Sequence, residues 1–231
     1  QKTFRNFVII AISTTVIQSA LGLMLASFFI RKIKLSGFYK ILFYLPAICT
    51  STIVGTVFSK IFETNRGYLN VILRALHLDF LCQQWLATPK TALACLLFVN
   101  IWQWTGYSML MYYTNMLNIP QDLYESATID GAGSFKQFIY ITFPLLRGTH
   151  ITLIILDILG ALKFFDLSYV LTDGGPAHAT ETFSTYIYTK SFSTFQQGQA
   201  STIVVFMFLI AMVLTVIQLK IYYKKDRKEM N

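Results

Sequence analysis

Thr91-Ala92-Leu93-Ala94-Cys95-Leu96-Leu97-Phe98-Val99-Asn100-Ile101-Trp102-Gln103-Trp104-Thr105-Gly106-Tyr107-Ser108-Met109-Leu110-Met111-Tyr112-Tyr113-Thr114-Asn115-Met116-Leu117 runs without a single Asp, Glu, Lys or Arg. A helix needs about 20 mostly apolar residues to cross the hydrocarbon core of a bilayer, and this run exceeds that. Four more segments meet the same test: about Phe7–Ile30, Ile41–Phe62 with Pro46 near its start, Leu145–Leu167 and Ala200–Tyr222. Open backbone polar groups are not tolerated in lipid, so these segments must be helices; no alternating strand pattern argues for a barrel. The fold class expected is an all-α integral membrane protein. One membrane domain, residues 1–231, accounts for the whole chain, which has no linker, repeat or low-complexity stretch.

Bulk composition agrees. Hydrophobic residues make up 55% and charged residues 13%, with a mean hydropathy of +0.54, against roughly 25% charged in a soluble domain. A net charge of +8 could suggest nucleic acid, but that needs a basic face among exposed polar residues. Here the basic residues sit at the ends of apolar runs, as bilayer orientation requires. Cys49, Cys82 and Cys95 form no CxxC pair, and His77, His150 and His178 lie far apart. Neither a metal site nor a catalytic triad is expected.

Basic residues crowd alternate connections. Arg31, Lys32, Lys34 and Lys40 follow the first span, Lys136 and Arg147 flank the third connection, and Lys220, Lys224, Lys225, Arg227 and Lys228 follow the last span. The positive-inside rule puts these three regions in the cytoplasm. On the opposite side, Leu69, Ile72, Leu73, Leu76 and Phe80 recur at helical spacing and suggest a short interfacial helix. Asp173-Gly174-Gly175-Pro176 is a turn signal.

The third connection, residues 118–144, is the most specific stretch. Pro120 occupies a favoured helix-start position, Asp122 and Glu125 suit the positive end of a helix dipole, and Gly131 and Gly133 stop or bend the helix. A second amphipathic piece carries Phe135, Phe138 and Ile139, and Pro144 opens the next span. Ser126, Ala127, Gly131 and Ala132 allow close approach by another protein. The bland alternative is a loop helix lying on the membrane.

Glu125-Ser126-Ala127, then Gly131, Ile141 and Pro144, match the spacing of the EAA loop of permease subunits in binding-protein-dependent ABC importers. That pattern is Glu-Ala-Ala, three residues, Gly, nine residues and Ile-x-Leu-Pro; the departures are Ser126 for Ala and Phe143 for Leu. Phe165 through Pro176 resembles a segment of the carbohydrate-uptake branch, closer to the maltose-importer F-type subunit than to its G-type partner. The resemblance covers nearly the whole chain. It implies a type I importer core of six helices, of which five are visible here, in a bacterial or archaeal plasma membrane. Because the orientation puts Gln1 outside, an earlier transmembrane helix is expected ahead of it.

The resemblance also implies a mechanism. The chain would form half of the translocation pore beside a G-type permease, above a cytoplasmic ABC ATPase dimer, and receive sugar from an external binding protein. Glu125, Ser126, Ala127, Asp130, Gly131 and Ala132 would form the ATPase-coupling site. ATP and Mg would be bound by the ATPase, since this chain has no Gly-rich loop ending in Gly-Lys-Ser/Thr. No catalytic residue is expected.

Asn100, Gln103, Trp104 and Tyr107 fall at i, i+3, i+4 and i+7, one helical face. Aromatic rings beside amides suit a sugar, although such rings can also simply pack between helices. Phe164, Phe165 and Asp166 join the expected substrate pathway through the resemblance. Asp157, Lys163 and Asp166 are the charges of the fourth span; Lys163 could pair with Asp166 or snorkel outward. Other readings are an importer of a sugar phosphate or polyamine, and an ATP-independent channel or transporter. A phosphate pore would need more Arg or Lys at membrane depth than Lys163 alone.

Overall fold

A computed structural model describes residues 2–31 and 34–229, which form only helices and their connections. In chain order the helices are α1 (Lys2–Phe29), α2 (Ser36–Ile48), α3 (Ser51–Ile61), α4 (Tyr68–Ala75), α5 (Pro89–Leu117) and α6 (Gln121–Ile129). There follow α7 (Ser134–Leu145), α8 (Arg147–Leu162), α9 (Asp166–Thr172), α10 (Phe183–Tyr188) and α11 (Gln197–Glu229). Of the basic residues used for orientation, Lys32 lies outside the described residues, as do the side chains of Lys224, Lys225, Arg227 and Lys228.

Helix α1 and the Gln197–Ile217 part of α11 are each long and apolar enough to cross a bilayer. Helix α5, with 29 residues, would extend roughly 43 Å. It carries Asn100, Gln103, Thr105 and Ser108, all buried, so its polar groups face protein rather than lipid. It is the central strut, against which α1 and α2 pack. Gly106 lets α2 cross in contact, because a Cβ there would strike the Phe43 carbonyl; one at Gly22 would come within 2.7 Å of the Ser108 Cβ. Small residues at crossings serve the same end in membrane helix pairs generally.

Two expected spans depart from single helices. Where Ile41–Phe62 reads as one span, α2 and α3 meet at 93°. Pro46 removes a backbone donor near the end of α2, and Cys49 and Thr50 turn extended. Broken backbone within a membrane must find partners. The Gln103 side chain supplies one, donating to the Cys49 carbonyl at 3.0 Å, and the Thr50 hydroxyl accepts from the Ile53 amide. Where Leu145–Leu167 reads as one span, the helix runs from Arg147 to Leu162 and meets α7 at 63°. Pro144 lies just before this bend, inside α7, rather than opening α8. Residues beyond Lys163 form the separate helix α9.

The interior is divided into two apolar clusters. One gathers Ile10, Val54, Leu96, Val99 and Leu167; the other gathers Leu23, Met109, Tyr112, Met116 and Leu153. Between them lies a polar layer of Thr14, Gln18, Asn100, Gln103 and Ser108. By contrast, α2 has no buried residue and α11 exposes Val205, Phe208, Leu209 and Val213. Apolar faces of this size belong against lipid chains or another membrane chain.

Helix α4 carries Leu69, Ile72 and Leu73 of the amphipathic segment expected after the second span, but it stops before Leu76, and Phe80 falls in a separate short turn over Asp79–Leu81. Asn70 is fully buried and ties the segment together, donating to the Thr64 and Gln83 carbonyls and accepting from the Trp85 indole at 2.8 Å. At the other turn signal, Asp173 and Gly174 adopt the left-handed conformation, reversing the chain after α9.

Candidate substrate cavity and coupling loop

The polar layer opens into a cavity of about 450 Å³ where α1, α5 and α8 converge. Asn100, Trp104 and Tyr107 line it from α5, and Phe164, Phe165 and Asp166 from the turn into α9. The Trp104 and Tyr107 rings meet edge to face, with centroids 6.2 Å apart. The turn carrying Phe164 is held by the Thr182 hydroxyl, which donates to the Phe164 carbonyl at 2.6 Å. Phe165 stacks on Tyr169 with centroids 5.1 Å apart.

Gln103 stands apart from the other six expected pathway residues. It is fully buried, faces away from the cavity, and serves the α2–α3 break. Helical spacing places residues on one side of a helix without saying which side meets a void. Lys163 and Asp166 both line the rim but form no ion pair. Among the described residues the ion pairs are Lys60–Glu63 and His178–Glu181.

Sequence reading missed Gln18. Helix α1 widens into a π-helical turn over Thr14–Gln18, a distortion often found at functional sites. From it the Gln18 amide nitrogen donates to the Ser108 hydroxyl and to an Asp157 carboxylate oxygen, each at 3.0 Å. A lone glutamine in an apolar run gives no periodic signal, and its partners lie 90 and 139 residues away. Deeper still, the Tyr112 hydroxyl meets His150 Nδ1 at 2.8 Å, and His150 Nε2 meets the Phe143 carbonyl at 3.2 Å. This bridges the α7–α8 bend to α5.

The loop helix α6 starts after Pro120 and ends at Asp130, where Gly131 turns left-handed with φ +77°. The amides of Gly131 and Ala132 return to the carbonyls of Thr128 and Ala127, satisfying the helix end. Gln137 of α7 folds back on the turn, donating to the Thr128 hydroxyl at 2.8 Å and the Ala132 carbonyl at 3.1 Å. The Tyr124 and Thr142 hydroxyls meet at 2.9 Å. All six expected coupling residues lie together here. Glu125, Ser126, Asp130 and Gly131 are exposed, while Ala127 and Ala132 are half-buried. Ile129 and Phe135 are 87% and 74% exposed, an apolar display without a partner among the described residues. Glu125 also lines a cavity of about 670 Å³ between the loop and the ends of α1 and α5.

Helices that bury polar side chains against one another, a cavity between them and a projecting loop helix are the parts of a polytopic membrane protein. Residues 18–227 match the family of binding-protein-dependent transport system inner membrane components, and the chain belongs to that family. It is 34% identical over 226 residues to the probable ABC transporter permease protein YurN of Bacillus subtilis, covering 97% of this chain and 77% of that protein. It is 33% identical over 216 residues to the probable starch degradation products transport system permease protein AmyD of Thermoanaerobacterium thermosulfurigenes, covering 94% and 73%. Its fold matches a chain in the crystal structure of a bacterial alginate ABC transporter, solved in complex with an alginate pentasaccharide-bound periplasmic protein. That match has a TM-score of 0.84 at 21% identity, over 94% of this chain and 76% of that one. The chain is therefore a multi-pass inner-membrane transport subunit rather than an enzyme.

Proposed function

We propose that this chain is a permease subunit of an ATP-driven sugar or oligosaccharide importer and forms half of its pore. The observation that carries this is the cavity between α1, α5 and α8, where Trp104, Phe164 and Phe165 offer apolar ring faces beside Asn100 and Tyr107. A sugar presents C–H faces and a rim of hydroxyls, and matches such a wall. The relative named for starch degradation products supports the same substrate class.

In this reading a G-type permease supplies the other half of the pore, and an external binding protein delivers the sugar. Loop α6 and the C-terminus face the cytoplasm. There Glu125, Ser126, Ala127, Asp130, Gly131 and Ala132 seat in a cleft of an ABC ATPase dimer, which binds all the ATP and Mg. ATPase closure moves α6, and α7 carries that motion to the bend at Leu146. Two-state rearrangement of packed helices then changes the side of the membrane to which the pore opens.

The test is uptake by the assembled importer, with its partner permease, ATPase and binding protein, in lipid vesicles. ATP-dependent accumulation of a neutral oligosaccharide such as maltotriose, lactose or an arabino-oligosaccharide is expected. Transport by this chain alone without ATP, or uptake confined to phosphates or polyamines, overturns the proposal.

A further inference from the structure

The cavity holds three formal charges, and they are arranged unevenly. Lys163 and Asp166 are exposed at the rim, of opposite sign, and cancel at a distance. Asp157 lies six residues before Lys163 on α8, roughly 9 Å deeper along the helix axis. Among the described residues, no cationic side chain lines the cavity at that depth. The protein gives Asp157 one donor, the Gln18 amide nitrogen at 3.0 Å, and Gln18 shares that nitrogen with Ser108. The second carboxylate oxygen is buried and finds no donor among the described residues. Buried carboxylates normally collect several donors or a cation. This one has the Gln18 donor and lines the cavity, so a carboxylate at this position would act on whatever enters.

Resting on the sugar reading, we propose that Asp157, held in place by Gln18, is a charge-selecting residue that confines the pathway to uncharged, hydroxyl-rich solutes. A hydroxyl can donate toward the carboxylate region and pass. A uronate or a sugar phosphate brings a second negative charge into a water-poor site, where like charges repel far more strongly than in bulk water. The shared fold does not impose this preference, since a protein of the same fold belongs to a transporter of alginate, a polyuronate. The choice rests with side chains such as Asp157.

The test avoids the binding protein's own selectivity by probing the cavity with small reagents. Ser51 lines the cavity at the start of α3. Ser51→Cys is placed in an otherwise cysteine-free assembled importer, with Cys49, Cys82 and Cys95 changed to Ser. It is then modified with trimethylammonium-ethyl and sulfonatoethyl methanethiosulfonate. Rates are divided by those for a free thiol in solution. The cationic reagent should react at least about tenfold faster than the anionic one, within the range by which local fields alter association rates. Asp157→Asn, which still accepts from Gln18, should shrink the ratio to within about threefold.

Equal rates in the parent, or an unchanged ratio in Asp157→Asn, overturn the proposal. If the Asn variant does not assemble, the parent's rates carry the test alone. Maltotriose, lactose and arabino-oligosaccharide uptake by the parent protein is measured in parallel. Uptake with a flat ratio removes the charge filter and keeps the sugar reading. A biased ratio without uptake of any of these sugars removes the sugar reading instead.

Discussion

The proposed coupling loop and the cavity both depend on small and polar side chains, set in opposite surroundings. In the loop, residues 121–137 are contiguous, and Ser126, Asp130 and Gly131 stand in the open; a Cβ added at Gly131 would meet nothing within 4 Å. In the cavity and its wall, the residues come from α1, α3, α5, α8 and the turn before α9. There Gln18, Gln103 and Ser108 are almost fully buried, and a Cβ at Gly106 would collide with the neighbouring backbone. An exposed contiguous surface fails by losing a partner. A buried dispersed one fails by losing its own shape.

Substitution at Gly131 tests that difference most strongly. Gly131→Val places a branched side chain at φ +77°, a local strain of about 1–2 kcal/mol. Because nothing surrounds the site, the chain should still fold and reach the membrane. Uptake by the assembled importer should be nearly abolished, and copurification of the ATPase should fall. Loss of a central interface residue costs about 2 kcal/mol or more. Unfolding of the subunit, or full uptake with the ATPase retained, would break the comparison.

The second test lies inside the cavity wall, where neighbours on one helix should behave differently. Trp104→Ala removes a ring from the cavity and should raise the KM for sugar uptake about tenfold, in keeping with aromatic contacts worth roughly 1 kcal/mol beyond their area. Gln103→Leu should leave that KM unchanged. It strips the Cys49 carbonyl of its donor at the α2–α3 break, and a backbone group left unpartnered away from water costs about 1–3 kcal/mol. The melting temperature in detergent should therefore drop by several degrees, about 2–4 °C per kcal/mol for a chain of this size. A KM effect at Gln103 with no stability loss would return it to the substrate pathway.

Legibility in the sequence follows the same division. The loop could be read because its geometry is local: Pro120, the acidic first turn and Gly131 fix a short helix whatever surrounds it. Helix existence was equally readable from apolar length. Helix shape was not, because the breaks at Cys49 and Leu146 depend on partners far along the chain. Pro46 marked the first break, yet the Gln103 that stabilises it is on another helix. Asn100, Trp104 and Tyr107 share one helical period with Gln103; the folded bundle sets the first three on the cavity and turns Gln103 to the Cys49 carbonyl. Gln18 escaped notice because only the folded bundle sets it beside Asp157.

The smallest expected effect asks whether the loop holds its own form before any ATPase arrives. From α7, the Gln137 side chain bonds the end of α6, reaching Thr128 and Ala132. It is partly exposed, so water can replace much of what Gln137→Ala removes, and the net loss should be about 1 kcal/mol. Local openings draw on local stability alone, so the melting temperature should not move. The amides of Asp130, Gly131 and Ala132 close the end of α6. They should exchange with deuterium about fivefold faster in the variant, the ratio that 1 kcal/mol gives. Unchanged exchange would mean that the helix end is secured by its own backbone bonds. The loop would then be a rigid plug rather than one braced by α7, and Gln137 would drop out of the route from ATPase to pore.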